Sequence, residues 1–236
     1  MEVFMVKKLF GYFSKGELIL WLFSTSLICV SFFVFGGNGI LTLVASLIGA
    51  TSILLNAKGN PIGQLLMIIF SIIYGIISYT FSYYGEMITY LGMTMPMSVF
   101  ALISWLMHPY EGNRAEVRVN SVGKAEIAIM FSAAFAVTGG LFFVLEYFNT
   151  TNLILSTVSV TTSFIAVYLT FRRSPLFSLA YAANDIVLIL LWTSASISDK
   201  RYISVVICFA AFLINDIYCF IGWQRLKAGQ THKKQT

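Results

Sequence analysis

The chain reads as an all-α polytopic membrane protein with eight transmembrane helices, and three observations predict it. Of 236 residues, 58% are hydrophobic and 11% charged, with mean hydropathy +0.83; a soluble domain carries about 25% charged residues. The apolar residues gather in eight runs, most near the ~20 residues that cross a bilayer as a helix. The polar faces that a soluble core would show at helical or strand period are missing. The medium this sequence is written for is a lipid bilayer.

The runs cover residues 18–35, 40–55, 62–83, 87–107, 125–145, 153–171, 176–197 and 202–223. Lys7, Lys8 and Lys15 precede the first, which is also the order of a signal peptide. That run is longer than a signal core and no small-residue cleavage site follows it, so a true first span is expected. Turn chemistry separates the others: Gly36-Gly37-Asn38-Gly39, Lys58-Gly59-Asn60-Pro61, Tyr84-Gly85-Glu86 and Arg172-Arg173-Ser174-Pro175. Proline at a first helical turn wastes no hydrogen bond. The longest hydrophilic segment, 108–124, joins spans four and five.

Charge gives the orientation. With eight spans, thirteen Lys and Arg fall at one side and only Lys200 and Arg201 at the other. The positive-inside rule then puts both termini in the cytoplasm and the protein in the plasma (inner) membrane as a multi-pass chain. The net charge of +5 belongs to loops and tails, so it signals topology and no nucleic acid partner. Cys29, Cys208 and Cys219 lie inside apolar runs without metal spacing and read as small core residues. His108 and His232 are the only histidines and lie outside the spans, so neither a metal cluster nor a Ser/His/Asp set is expected there. With no Walker A loop or dinucleotide fingerprint either, the chain is expected to be no enzyme and to need no cofactor.

An internal repeat follows from spacing. Pro61 to Glu86 and Pro175 to Lys200 are both 25 residues, and each interval leads to a span ending in tryptophan, Trp105 or Trp223. Spans two to four thus correspond to spans six to eight at an offset near 114 residues, with span five between them and span one in front. An odd linker helix makes the repeat parallel. The expected organisation is 1–38 (tail and extra helix), 39–107 (first three-helix repeat), 108–146 (loop and linker helix), 147–225 (second repeat) and 226–236 (basic tail).

Mid-span polar residues are the candidate site. A carboxylate at the centre of a membrane helix costs about 2.5–3.5 kcal/mol, so Asp185 should face a partner, a cavity or a ligand. Tyr181, Asp185 and Trp192 share one helical face, with Asn184 on its edge. Gln64, Ser71 and Ser78 recur every seven residues on span three, with Tyr74 beside them, and Ser71 corresponds to Asp185 at the repeat offset. Asn215 and Asp216 lie inside the last span, followed by Tyr218. Plainer readings exist for each: the Asn-Asp pairs as packing contacts, the serine stripe as a close-approach face, Trp105 and Trp223 as interfacial anchors. Glu86 is expected at an external turn, capping its helix or guarding the outer opening.

The residues resemble a known family. Ala57-Lys58-Gly59-Asn60, Tyr84-Gly85-Glu86-Met87, Pro96-Met97 and Trp105 look like the first half of PnuC-type vitamin transporters. Asn184-Asp185-Ile186-Val187, Asp199-Lys200-Arg201-Tyr202, Asn215-Asp216-Ile217-Tyr218 and Gly222-Trp223 look like the second. The resemblance implies a SWEET-like 3+1+3 fold, a homotrimer, and facilitated diffusion of a vitamin precursor that a cytoplasmic kinase then traps as its phosphate. Nicotinamide riboside is the first expectation and thiamine the alternative, since both carry a ring cation. Nicotinamide riboside members tend to carry several tryptophans on span seven, whereas this chain has Trp192 and Tyr181 there. On this reading Asp185 counters the charge, Tyr74, Tyr181 and Trp192 stack on the ring, Asn184, Gln64, Ser71 and Asn215 bind polar groups, and Glu86, Asp216 and Tyr218 gate or brace the path. The competing class is a non-transporting scaffold, for which Asp185 would be clamped by a lysine or backbone in a solid bundle.

Overall fold

The computed structural model describes residues 12–36, 39–80 and 83–233. Lys7, Lys8, Gly37, Asn38 and Lys234 lie outside them. Among the described residues, eight helices are long and apolar enough to span a membrane. They are α1 (Lys15–Val34), α2 (Ile40–Ala57), α3 (Ile62–Thr80), α4 (Tyr84–Met107), α5 (Lys124–Tyr147), α6 (Leu153–Phe171), α7 (Phe177–Ser198) and α8 (Ile203–His232), the last entered through a 3-10 turn at Lys200–Tyr202. Ser14 and Glu17 form a capping box at the start of α1, which satisfies two of the helix's orphan N–H groups.

Six helices close a ring. Around it, α2 packs on α3, α3 on α4, α4 on α6, α6 on α7, α7 on α8, and α8 returns to α2. The neighbour pattern is unchanged when α2, α3 and α4 are exchanged with α6, α7 and α8. Outside the ring, α1 lies on α2 and α8, and α5 lies on α6. Helix α5 is buried over little of its length and shows Phe135 and Phe143 outward, as a lipid-facing helix does.

The turns after α2 and α6 share one geometry. Gly59 N–H donates to Asn56 O and Asn60 N–H to Leu55 O; 114 residues on, Arg173 N–H donates to Thr170 O and Ser174 N–H to Leu169 O. This is the hydrogen-bond pattern of a Schellman helix stop. It needs a left-handed residue, which is Gly59 (φ +67) in one turn and Arg173 (φ +56) in the other. Asn60 and Ser174 then accept from Ile62 N–H and Leu176 N–H to start α3 and α7.

Sequence and structure part in three places. Helix α4 contains a π turn, Ile88–Thr94, directly before Pro96. Proline gives no N–H and its ring crowds the preceding turn, so the hydrogen-bond ladder shifts there. The hydrophilic segment folds as a hairpin, β1 (Pro109–Tyr110) and β2 (Asn113–Val117), turned by Glu111 and Gly112 at positive φ, the mirror-image turn two-residue hairpins favour. It straps the two equivalent turns: Val117 N–H donates to Gly59 O, and Asn120 N–H to Arg173 O. Gln230, near the end of α8, accepts from Val119 N–H and donates to Val117 O and Glu116.

Trp105 and Trp223 are the third difference. Both are completely buried, not interfacial. Their rings meet at 5.4 Å, and Phe177 packs on Trp223 at 4.9 Å. Trp105 Nε1 donates to Thr170 O at 3.0 Å and Trp223 Nε1 to Asn56 O at 2.7 Å. Each indole therefore ties one three-helix set to the other. Trp105→Phe and Trp223→Phe keep an aromatic ring and remove one cross-tie, a loss of about 1–2 kcal/mol each. Thermal unfolding in detergent should show a lowered midpoint for both variants; unchanged midpoints would show that the ties carry no load.

Candidate ligand site

At the middle of the ring, five helices turn polar side chains toward one cavity. Its polar wall is Asn56 (α2), Thr94 (α4), Ser163 (α6), Asn184 and Asp185 (α7) and Asp216 (α8), with Tyr90 and Tyr181 beside them. Phe70, Phe177, Phe209 and Phe212 supply most of the apolar wall. The cavity volume is about 30 Å³. That holds a water molecule and falls far below the ~300 Å³ of a small-molecule pocket. A ligand of vitamin size enters only if the aromatic wall moves.

The wall is electrostatically one-sided. Asn184 Oδ1 accepts from Thr162 (2.7 Å), Ser163 (3.1 Å) and Ser159 (3.4 Å) on α6. Its carbonyl is thereby spent, and its amide N–H₂ is what it has to offer a ligand. The Asp185 carboxyl contacts that of Asp216, while Asp185 Oδ2 and Thr94 Oγ1 are buried without a hydrogen-bond partner. Buried polar atoms are nearly always paired, so each orphan demands a reason. Among the described residues, the four ion pairs involve neither aspartate and all lie toward the helix ends.

Aromatic clusters close the cavity at both ends. Toward the hairpin, Phe177, Trp105 and Trp223 form the seal already described. Toward the opposite end, Trp192 donates its indole N–H to Tyr74 Oη at 2.9 Å and packs on Tyr83 and Tyr202, with centroids 4.7 and 5.4 Å away. Beyond that seal Tyr83, Tyr202, Asn152, Ser194 and Ser198 line an open vestibule of about 320 Å³.

Of the residues singled out in the sequence, Tyr181, Asn184 and Asp185 line the cavity, and Asp216 joins them as wall. Tyr74 and Trp192 belong to the seal instead. Gln64 donates to Asn56 Oδ1 at 2.9 Å and so braces a wall residue from behind. Ser71 turns back onto Met67 O. Asn215 points away from the cavity, its amide on Ser24 of α1 and on Ala211 O. Tyr218 lines a groove at the hairpin end with Lys58 and Arg225. Glu86 stands in the first turn of α4, at the end opposite the hairpin, but is fully buried rather than open to solvent; Ser159 is in contact with it. Gly85 lets this turn sit against Leu145, Thr150 and Ser156, where a Cβ would meet all three at 3.1–3.3 Å. Asn56, Thr94 and Ser163 were not singled out; mid-span polarity is the only sequence signal of Thr94 and Ser163, and Asn56, one residue from the end of its helix, lacks even that.

The family model described as "Nicotinamide mononucleotide transporter" matches residues 39–225, which takes in the ring and α5 but not α1. The chain belongs to that family. It is a membrane transporter by that membership, and not an enzyme. A similar relative is the nicotinamide riboside transporter PnuC of Neisseria mucosa, 26% identical over 224 residues, covering 93% of this chain and 85% of that one. The fold is similar to that in the crystal structure of the vitamin B3 transporter PnuC, with TM-score 0.82, 23% identity, and 96% and 97% of the two chains covered.

Asn184→Ala should destabilise the fold by about 1–3 kcal/mol, because buried hydroxyls on α6 lose their acceptor. Asp185→Asn should leave stability near wild type, since a carboxamide of the same shape can donate to Asp216. Thermal melts of the two variants in one detergent check the contrast. A large loss for Asp185→Asn would mark Asp185 as a packing residue.

Proposed function

We propose that this chain takes up nicotinamide riboside across the plasma membrane by facilitated diffusion, with the Asp185–Asp216 cavity as its central site. The observation that carries the reading is the cavity itself: two carboxyls without a basic partner, in an aromatic box, inside a ring of transporter-family helices. A pyridinium cation matches this chemistry. Aromatic faces hold a desolvated cation by about 2 kcal/mol, and the unpartnered Asp185 Oδ2 supplies the counter-charge. Thr94 Oγ1 and the Asn184 amide are left to pair with ribose hydroxyls and carboxamide. The Neisseria mucosa relative is a transporter of the same compound.

The repeat of three, one and three helices belongs to this proposal. Its support is the exchangeable neighbour pattern, the two turns with matching bonds 114 residues apart, and the reciprocal indole ties. A site at the meeting of two repeats is where such carriers bind, and seals at both ends suit alternating opening. The basic residues support cytoplasmic termini: Lys58, Arg114, Arg118, Lys124, Arg172, Arg173, Arg225 and Lys227 lie at the hairpin end, and Lys200 and Arg201 at the other. The hairpin end would then face the cytoplasm, where a kinase traps the delivered vitamin. Outward-facing Phe135 and Phe143 on α5 are compatible with a homotrimer.

Isothermal titration of the purified protein with nicotinamide riboside, thiamine and riboflavin in parallel tests the substrate. Nicotinamide riboside should bind most tightly, and Asp185→Asn should weaken it tenfold or more, about 1.4 kcal/mol. Unchanged affinity in that variant would overturn the site assignment. No heat with nicotinamide riboside, beside clear binding of thiamine, would overturn the substrate.

A further inference from the structure

We propose that the vestibule over the Trp192 seal is a second binding site, where an aromatic ring bearing a hydroxylated substituent is held before the cavity opens. The inference rests on the substrate reading above and names the place where the same ligand is first bound. The central cavity, at about 30 Å³, admits no such molecule as it stands. The vestibule, at about 320 Å³, falls within the range of small-molecule pockets. Four separate stretches of chain build it: Tyr83 before α4, Thr151 and Asn152 before α6, Ser194 and Ser198 on α7, and Tyr202 in the turn before α8. Among the described residues, none that lines it is charged.

Its polar groups are not consumed by the fold. Asn152 is the N-cap of α6, where an asparagine ordinarily accepts from N–H groups of its own helix. Here it lies in the left-handed region (φ +55) and its side chain caps nothing. Its amide donates instead to Ser194 Oγ at 3.3 Å, which leaves its carbonyl to accept from a ligand hydroxyl. Ser198 adds a hydroxyl at the exposed end of α7. The rings are equally particular to this place. The positions 114 residues from Tyr83 and Tyr202 hold Ile197 and Ile88, so the repeated helices do not call for an aromatic side chain at either.

Tyr83 and Tyr202 also connect the vestibule to the seal, because both pack on Trp192. A ligand ring laid against Tyr202 competes with Trp192 for it. Contact that is fullest when Trp192 swings aside favours the opened seal, since a ligand shifts an equilibrium toward the state it binds better. The bond from Trp192 to Tyr74 then remains to be broken. No ion takes part in this step, as facilitated diffusion requires.

The test is protection of a cysteine. Ser198→Cys places a thiol at the vestibule rim, while Cys208 and Cys219 are buried and Cys29 is half-buried. The wild-type chain is therefore the blank for labelling by a charged maleimide. In the purified full-length protein, nicotinamide riboside should slow labelling of Ser198→Cys. The concentration giving half-protection should not move when Asp185→Asn is added, although that change weakens the central site. Adding Tyr202→Ala should raise it about tenfold, and Tyr202→Phe should leave it unchanged, because the ring face makes the contact. Half-protection that rises with Asp185→Asn overturns the proposal, since the thiol would then report the central cavity. Equal half-protection in Tyr202→Ala and Tyr202→Phe overturns it too. So does labelling that nicotinamide riboside leaves unslowed while titration shows it bound, and so does a thiol that never reacts, which would mean a closed vestibule. Absence of binding by the wild type in titration is a different result: it removes the substrate reading and this inference with it.

Discussion

A pair of acids in an apolar interior, with no base within reach, sets the terms for the rest of this molecule. Removing a charge from water costs several kcal/mol unless a partner compensates, and among the described residues the cationic side chains are engaged or placed elsewhere. Lys58 pairs with Glu17, Arg172 with Glu126, and Arg173 reaches Ser104; all three sit at the hairpin end. The Asn184 carbonyl is fixed by three hydroxyls of α6 and its position with it. The interior is thus left rich in acceptors and poor in donors. Such an imbalance lowers stability and is what a cationic, hydroxylated ligand would correct.

The helices were legible because lipid permits so little else. A chain in hydrocarbon must satisfy its backbone internally, so eight apolar runs had to become eight helices, and their ends fall within a few residues of the turn signals. What escaped the reading is what hydropathy does not measure. Helix α8 continues nine residues beyond Trp223 to His232, through polar residues that favour helix but not lipid. The hairpin was hidden in a segment marked only as hydrophilic, although Glu111-Gly112 is a reasonable turn. The tryptophans misled for a related reason. Interfacial placement assumes that a span's end meets headgroups, whereas here the strap and the facing helices cover the ends of α4 and the spanning part of α8.

The site was legible in part. Helical angle grouped Tyr181 with Asp185, which share the cavity wall, and the cost of a buried carboxylate pointed to the helix that carries both. Angle says which residues share a face, not which way the face looks. That is why Ser71 and Gln64 on α3 were grouped with a cavity they do not line, and why Asn215 was paired with Asp216 although adjacent residues on a helix diverge by about 100°. Thr94 lay out of reach because it closes the π turn, where the ordinary periodicity fails. Asn56 lay out of reach because it sits one residue from the end of its helix, where polarity usually means water. Its place in the wall depends on Gln64 behind it and on Trp223 holding its carbonyl.

The two seals are not equal, and their bonds rank them. Parting the hairpin-end seal breaks two indole-to-carbonyl bonds, at 3.0 and 2.7 Å, that cross between the three-helix sets. It also loads the strap, which joins the Gly59 and Arg173 turns through Val117 and Asn120 and is itself clasped by Gln230. Parting the opposite seal breaks, among the described residues, the bond from Trp192 to Tyr74 and separates Trp192 from the rings of Tyr83 and Tyr202. Beyond it the vestibule already offers a polar floor. Because buried polar groups left unpaired cost more than separated rings, the hairpin end is the harder one to open.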